Sequence, residues 1–411
     1  MGRLLLLALF LLLLDGYVFQ ALRTLTQHWS EQRRFALWIL YWMIPVLSIG
    51  YIFLNATAVT EGWAKTWTTY LQAAIFVLYV SKLLIVPFLL IDDFRRLVHW
   101  VWDRTQANPP TDYRRSRFLT QAGVLLGAIP FFSLTYGIIR NPYRYKVFRE
   151  TVRIPNLPQA LEGLRIVQIS DIHSGSFTFK EPVSRAIDLI NDQQPDLVFF
   201  TGDLVNDRAD EMLPFVDLFS RIKARYGVFS VLGNHDYGDY HYWPSPEAKA
   251  QNFQQLLALH QQMGWTLLRN EHRRLTISDS EIAIIGVENF SAHPRFPRHG
   301  DLAKAYRGTE KIPLKILLSH DPSHWTYEVT KDFQDIDLTL SGHTHGMQFG
   351  VEIPGVFKWS PIKYMYQQWA GLYRASQQHL YVNRGLGFLG YPGRVGILPE
   401  ITCLDLTRDK A

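Results

Sequence analysis

Leu164-Arg165-Ile166-Val167-Gln168-Ile169-Ser170-Asp171-Ile172-His173-Ser174-Gly175 reads as a short strand that stops on an acid and an imidazole. Ile166, Val167 and Ile169 are β-branched and apolar, the composition of a strand covered on both faces. Asp171 and His173 are two residues apart, so in extended chain they point the same way. Ligands collect beyond the carboxyl ends of strands in α/β sheets. A carboxylate with an imidazole suits a divalent metal. Further ligands must then come from other strand ends.

Four more ends qualify. Asp196–Thr201 runs into Gly202-Asp203, and Gly227–Leu232 into Gly233-Asn234-His235-Asp236. Leu314–Ser319 ends at His320, and Ile336–Leu340 at Ser341-Gly342-His343-Thr344-His345-Gly346. Glu211–Arg225 and Glu247–Met263 have helix patterns; Glu281–Val287, Leu380–Asn383 and Glu400–Leu406 have strand patterns. One strand-terminal Asp is usually a cap or turn residue; five such ends in one domain are hard to explain as caps. Converging carboxylates and imidazoles would leave charge poorly paired, and two cations would neutralise it. A structural zinc site usually uses cysteine, and Cys403 is the only one, which also excludes an intramolecular disulfide. There is no nucleophile elbow or P-loop.

In order and spacing, Asp171-x-His173, Gly202-Asp203, Gly233-Asn234-His235-Asp236, His320 and Gly342-His343-x-His345 resemble the calcineurin-like metallophosphoesterase superfamily over roughly residues 160 to 406. The resemblance implies a four-layer α-β-β-α sandwich and two divalent metals. Asp171, His173 and His345 would hold the first, Asn234, His320 and His343 the second, and Asp203 both. Metal-activated hydroxide would attack phosphorus, and His235 would steady the phosphate or protonate the leaving oxygen. Many family members have an Asp three residues after the bridging Asp to orient this histidine. Here Asn206 stands there, with Asp207 and Asp236 as substitutes. Mn²⁺ is the first expectation for the metal; Fe and Zn²⁺ also suit the ligands.

The first third of the chain is different. Leu4–Leu22, Phe35–Leu54, Tyr70–Ile91 and Phe118–Ile139 are apolar runs of bilayer-spanning length. Asp15 interrupts the first, and no small-x-small cleavage site follows it, so it reads as a retained span. Trp29, Trp38, Trp42, Trp63, Trp67, Trp100 and Trp102 sit near the run ends, as interfacial belts do. Residues 1–145 therefore read as an all-α membrane part and 150–411 as the catalytic domain, joined by Arg140–Pro158. Together with the motifs, this resembles the transmembrane metallophosphoesterases, including enzymes of the lipid A precursor pyrophosphatase type.

Arg23, Arg33 and Arg34 in the first loop, and Arg95, Arg96, Arg104, Arg114, Arg115 and Arg117 around the third, put both loops in the cytoplasm. A multi-pass cell-membrane protein with an extracytoplasmic catalytic domain follows. Arg140, Arg144, Lys146, Arg149 and Arg153 pull the other way. Net charge is only +5, which makes no case for nucleic acid. No protein partner is inferable. The expected partners are the bilayer and a phosphorylated substrate: a lipid-linked phosphoester or pyrophosphate such as a UDP-diacylglucosamine-type lipid, or else a soluble phosphodiester or nucleotide. A metal-binding sensor with little turnover is the reading from another class.

Several residues have bland and functional readings. His324 either faces the site or, the reading taken first, is a cap or surface residue. The basic loop 292–301, with His293, Arg295, Arg298 and His299, is either solvated charge or a second phosphate contact. The aromatic segment Val356–Tyr373 is either packing or a rim for a lipid. Arg384 and Arg394 either form salt bridges or meet substrate anions.

Overall fold

A computed structural model describes residues 2–57, 59, 63, 65–105, 112–353 and 355–409; the last two residues of the 150–411 span lie outside them. The chain divides into two units, Met1–Tyr136 and Gly137–Ala411.

The first unit contains α1 (Gly2–Leu25), α2 (Glu31–Ala56), α3 (Lys65–Thr105) and most of α4 (Arg117–Arg140). All four are long and apolar enough to cross a membrane. Most of their large apolar side chains are exposed, as in helices whose solvent is lipid. The third span, read as 70–91, is the middle of a 41-residue helix. At 1.5 Å per residue that is roughly 60 Å, well beyond a bilayer core. Its last turns continue through Asp92, Asp93, Arg95 and Arg96, whose ion pairs hold helix where hydropathy alone signals a loop. Asp15 is wholly buried. It contacts Lys82 and accepts a 2.8 Å bond from the Tyr79 hydroxyl, so this charge is paired.

In the second unit the strands are β1 (Lys146–Ile154), β2 (Arg165–Ile169), β3 (Leu197–Phe200), β4 (Val228–Ser230), β5 (Thr266–Leu267), β6 (Glu271–Ile277) and β7 (Ser280–Gly286). Then come β8 (Leu314–Leu318), β9 (Leu338–Ser341), β10 (Val351–Ile353), β11 (Phe357–Trp359), β12 (Gly371–Ala375), β13 (Gln378–Val382) and β14 (Glu400–Arg408). They form two six-stranded sheets, ordered β1-β14-β2-β3-β4-β5 and β12-β13-β9-β8-β7-β6, with β10 and β11 as a separate hairpin. β2 to β5 run parallel, and so do β7, β8, β9 and β13.

Three apolar layers define the stack. Ile166, Leu197, Phe199 and Phe229 of one sheet meet Ile284, Ile316, Leu338 and Leu340 of the other. On the first sheet's outer face, Val167, Ile169 and Phe200 pack on α5 (Lys180–Asn191) and on α7 (Pro246–Gln262), which follows the single-turn α6 (Val216–Phe219). On the second sheet's outer face, Ile285, Leu317 and Val382 pack on α8 (Leu302–Tyr306) and on Trp325 and Val329. This is the α-β-β-α sandwich. Alternation along β2 explains it: Ile166 turns inward, Val167 and Ile169 outward.

Two expectations need correction. The segment Arg140–Pro158 is not all linker, because nine of its residues form β1, paired parallel to β14. As an edge strand it buries only Val152 and Ile154, and its exposed Arg and Glu residues hide the pattern. Glu211–Arg225 is not one helix. Pro214 starts a new turn within it, and only short helical pieces form, ending with α6.

Candidate metal centre

The loops after β2, β3, β4, β8 and β9 meet at one end of the sandwich. They bring Asp171, His173, Asp203, Asn234, His235, His320, His343 and His345 together. Asp171, His173 and His345 offer ligand atoms within 4.8 Å of one another, and so do Asp203, His320 and His343. The His173 and His345 Nε2 atoms are 3.0 Å apart, and His345 Nε2 is 3.2 Å from Asp171 Oδ1. In the second group, Asn234 Oδ1 lies 2.8 Å from His343 Nδ1. Asp203 Oδ2 stands between the groups, 3.5 Å from His173 Nε2 and 3.1 Å from His320 Nε2.

The backbone is forced to do this. Asp171, His173, Asp203, His343 and His345 all have φ between 45° and 70°. Each such non-glycine residue costs about 1–3 kcal/mol. The glycines are fitted as closely: a Cβ on Gly342 would lie 2.2 Å from Asp171 Oδ2, and one on Gly233 2.3 Å from Asp203 Oδ1. Asp236 holds two of the loops together. Its carboxylate accepts from the backbone N–H groups of Gly233 (2.8 Å), Asp203 (2.9 Å) and Leu204 (2.8 Å). Burial, then Asp203, raises Asp236 to about 7.

The donor set fits divalent cations. His320 Nδ1 is 2.7 Å from the Thr201 carbonyl, and donating to it leaves Nε2 a bare lone pair. That Nε2 is buried without a hydrogen-bond partner, although it faces Asp203. The 3.1 Å contact lacks hydrogen-bond alignment, so this lone pair faces a carboxylate with no proton bonded between them. Burial would raise the Asp203 carboxyl, but His320 and His235 override it and hold it well below the usual range. Burial opposes charge on His320, yet Asp203 and Asp171 raise it to about 10. A field that draws a proton this strongly also draws a metal cation. Burial keeps His173 and His343 below their ordinary value, favouring the neutral imidazole that ligates.

His235 is oriented by a different group from those expected. Its Nδ1 is 2.6 Å from the backbone carbonyl of Asn206, and the His235 backbone N–H donates to Asp203 Oδ1. The Asn206 side chain instead donates to Ser176, and Asp236 is spent on the loops. A carbonyl accepts from imidazole whatever the side chain at 206, so the missing acid is bypassed.

Motif reading missed some of the surroundings. The Tyr366 hydroxyl lies 2.9 Å from His343 Nε2 and donates to Asp321 (3.2 Å), a relay that turns His343 Nδ1 toward Asn234. Tyr240 accepts from Asn234 Nδ2. Over these groups opens a cleft of about 320 Å³, with Arg295, Phe296, Ile362, Met365 and Leu389 in its wall. Arg295 and Phe296 come from the basic loop, and Ile362, Met365 and Tyr366 from the aromatic segment. The structure decides the other open readings, and for Arg384 it is the salt bridge that holds, though buried rather than on the surface. Arg298 is occupied by the Ser291 and Ala292 carbonyls. His324 is buried, not on the surface, between Ser319 and Glu328. Arg384 is buried against Glu400 and Glu352, and Arg394 against the carbonyls of residues 384 to 387.

Residues 164–347 match the family described as "Calcineurin-like phosphoesterase", and residues 2–142 match "Probable Calcineurin-like phosphoesterase, transmembrane domain". "Uncharacterized metallophosphoesterase YkuE" of Bacillus subtilis is 30% identical over 292 residues, 69% of this chain and 94% of that one. The chain belongs to the calcineurin-like metallophosphoesterases. It is a membrane-anchored, metal-dependent phosphoesterase. It is also similar to the zebrafish "Transmembrane protein with metallophosphoesterase domain", 31% identical over 274 residues, 65% of this chain but only 58% of the relative. An "Uncharacterized metallophosphoesterase" of Helicobacter pylori is 30% identical over 245 residues, 59% of this chain and 60% of that one.

Proposed function

We propose that the centre holds two divalent cations, Mn²⁺ first among the candidates, and hydrolyses a phosphoester or pyrophosphate bond of a lipid-linked substrate. The carrying observation is the Asp203 carboxylate between two groups of ligand atoms at the floor of an open cleft. Asp171, His173 and His345 would hold one cation, Asn234, His320 and His343 the other, and Asp203 both. When bound, the pair supplies Lewis-acid polarisation of the phosphoryl group and activation of water. The neutral amide of Asn234 keeps the centre's charge favourable to an anion. His235, held by the Asn206 carbonyl, protonates the leaving oxygen. Arg295 in the wall pairs with a further phosphate oxygen.

The apolar wall supports the lipid. Ile362 and Met365 line the cleft, and Tyr364, Val356 and Phe357 of the same segment are exposed. A soluble phosphodiester would need no such rim. The arginine-rich first and third loops support an extracytoplasmic catalytic unit, since four spans return the chain to the side of its amino terminus.

Purified full-length protein with Mn²⁺ and bis-p-nitrophenyl phosphate tests turnover. Asp203→Ala and Asn234→Ala should abolish it, and retained turnover overturns the ligand assignment. Silence with every divalent ion tried favours the sensor reading. Equal rates on micellar lipid diphosphates and soluble ones would remove the lipid preference. A reporter fused at the carboxyl terminus, active on the cytoplasmic side, would reverse the orientation.

A further inference from the structure

We propose that the membrane unit has a second anion site, a pocket that binds a phosphate group independently of the catalytic centre. The pocket is about 320 Å³ and opens at one end of the helices. Gln20 and Arg23 from the end of α1, Arg34 and Trp38 from the start of α2, Arg96 late in α3 and Arg114 and Arg115 ahead of α4 line it. Among the described residues no carboxylate is in its wall.

The nearby acids do not neutralise it. Arg115 is 2.7 Å from Asp93 and from Gln20 Oε1, and 3.7 Å from Asp92. Arg96 shares Asp93, Arg95 takes Asp92, and Arg114 takes Asp112. Asp92 and Asp93 therefore serve three guanidinium groups. Arg34 has only Glu31, at 3.9 Å, and Arg23 has no ion pair among the described residues. Arg34 Nε and Trp38 Nε1 are buried N–H donors without an acceptor among the described residues. Leaving such groups unmet costs about 1–3 kcal/mol each, so these two donors want an acceptor oxygen as the guanidinium groups want negative charge.

A phosphate supplies both. Guanidinium forks pair with it through two parallel hydrogen bonds. Basic pockets between spanning helices, at the depth of the headgroups, suit anionic lipids. The apolar helix surface beside the pocket, with exposed Phe35, accommodates acyl chains. A phospholipid phosphate and a free phosphate share this chemistry.

The test uses full-length protein in detergent with EDTA, so that turnover does not consume the probe. Binding of phosphatidic acid, phosphatidylcholine and inorganic phosphate is measured for the wild type and for Arg23→Gln/Arg34→Gln. Phosphatidic acid should bind at least about tenfold more tightly than phosphatidylcholine. The double variant should lose that preference while keeping wild-type turnover of a soluble ester once Mn²⁺ is restored. Competition by inorganic phosphate assigns the site to free phosphate, and its failure assigns it to the lipid headgroup. Equal binding of the two lipids by the wild type, or a preference unchanged in the variant, overturns the proposal. A wild-type preference that does not weaken as salt rises from about 50 to 500 mM does so as well.

Discussion

Gly342→Ala tests the centre without replacing a proposed ligand. The added methyl would sit 1.9 Å from Ser170 Oγ and 2.2 Å from Asp171 Oδ2. Carbon contacts settle at roughly 3.5 Å, so the Asp171 carboxylate must retreat by roughly 1 Å. Both of its oxygens now accept from the His343 backbone N–H at 3.0 Å, and that retreat breaks the shared bond. A displacement of this size at a reacting centre costs on the order of 100-fold, about 2.7 kcal/mol of transition-state stabilisation. The assay is kcat/KM for bis-p-nitrophenyl phosphate with saturating Mn²⁺, beside a melting curve as the check on folding. Ser170→Ala in the same chain relieves the 1.9 Å contact but not the one to Asp171. The double variant should therefore stay impaired. Full rescue by Ser170→Ala, or a Gly342→Ala enzyme within threefold of wild type, would refute the role given to Asp171.

His235→Ala should lower turnover by about 10²–10⁴ on an alkyl phosphoester, and by less on a p-nitrophenyl ester, whose leaving group needs no proton; metal content should not change. Tyr366→Phe removes the hydroxyl beside His343 Nε2 and should weaken metal affinity by about 10–100-fold, read by titration of the metal-free protein. Asp337, outside the centre, is raised to about 6 by burial. Its folded value lies above the ordinary 3.8, so its contribution is full below about pH 4 and lost as pH rises through about 6. Asp337→Asn should accordingly melt at the wild-type temperature near pH 4 and above it at pH 7.5.

The convergence of these eight residues was legible because each follows an apolar strand, and a side chain just past a strand's end has few places to go. The same logic exposed β2, β3, β4, β8 and β9, whose runs are buried on both faces. β1 was not legible, because an edge strand needs only alternate apolar positions and may fill the rest with charge. The short pieces between Ala209 and Phe219 failed for the opposite reason: a helix-like pattern was overridden by one proline. Tyr240, Asp321 and the Asn206 carbonyl had no sequence signal, since folding alone brings them to the ligands and a backbone oxygen carries no residue identity. The extent of α3 was hidden because its last turns are held by ion pairs rather than hydropathy.

The most direct measurement is electron paramagnetic resonance of the full-length chain loaded with Mn²⁺. Two ions sharing Asp203 at about 3.5–4 Å should give the multiline spectrum of a spin-coupled pair, and Asp203→Asn should abolish it. An active enzyme showing only isolated Mn²⁺, at one ion or fewer per chain, would contradict the account.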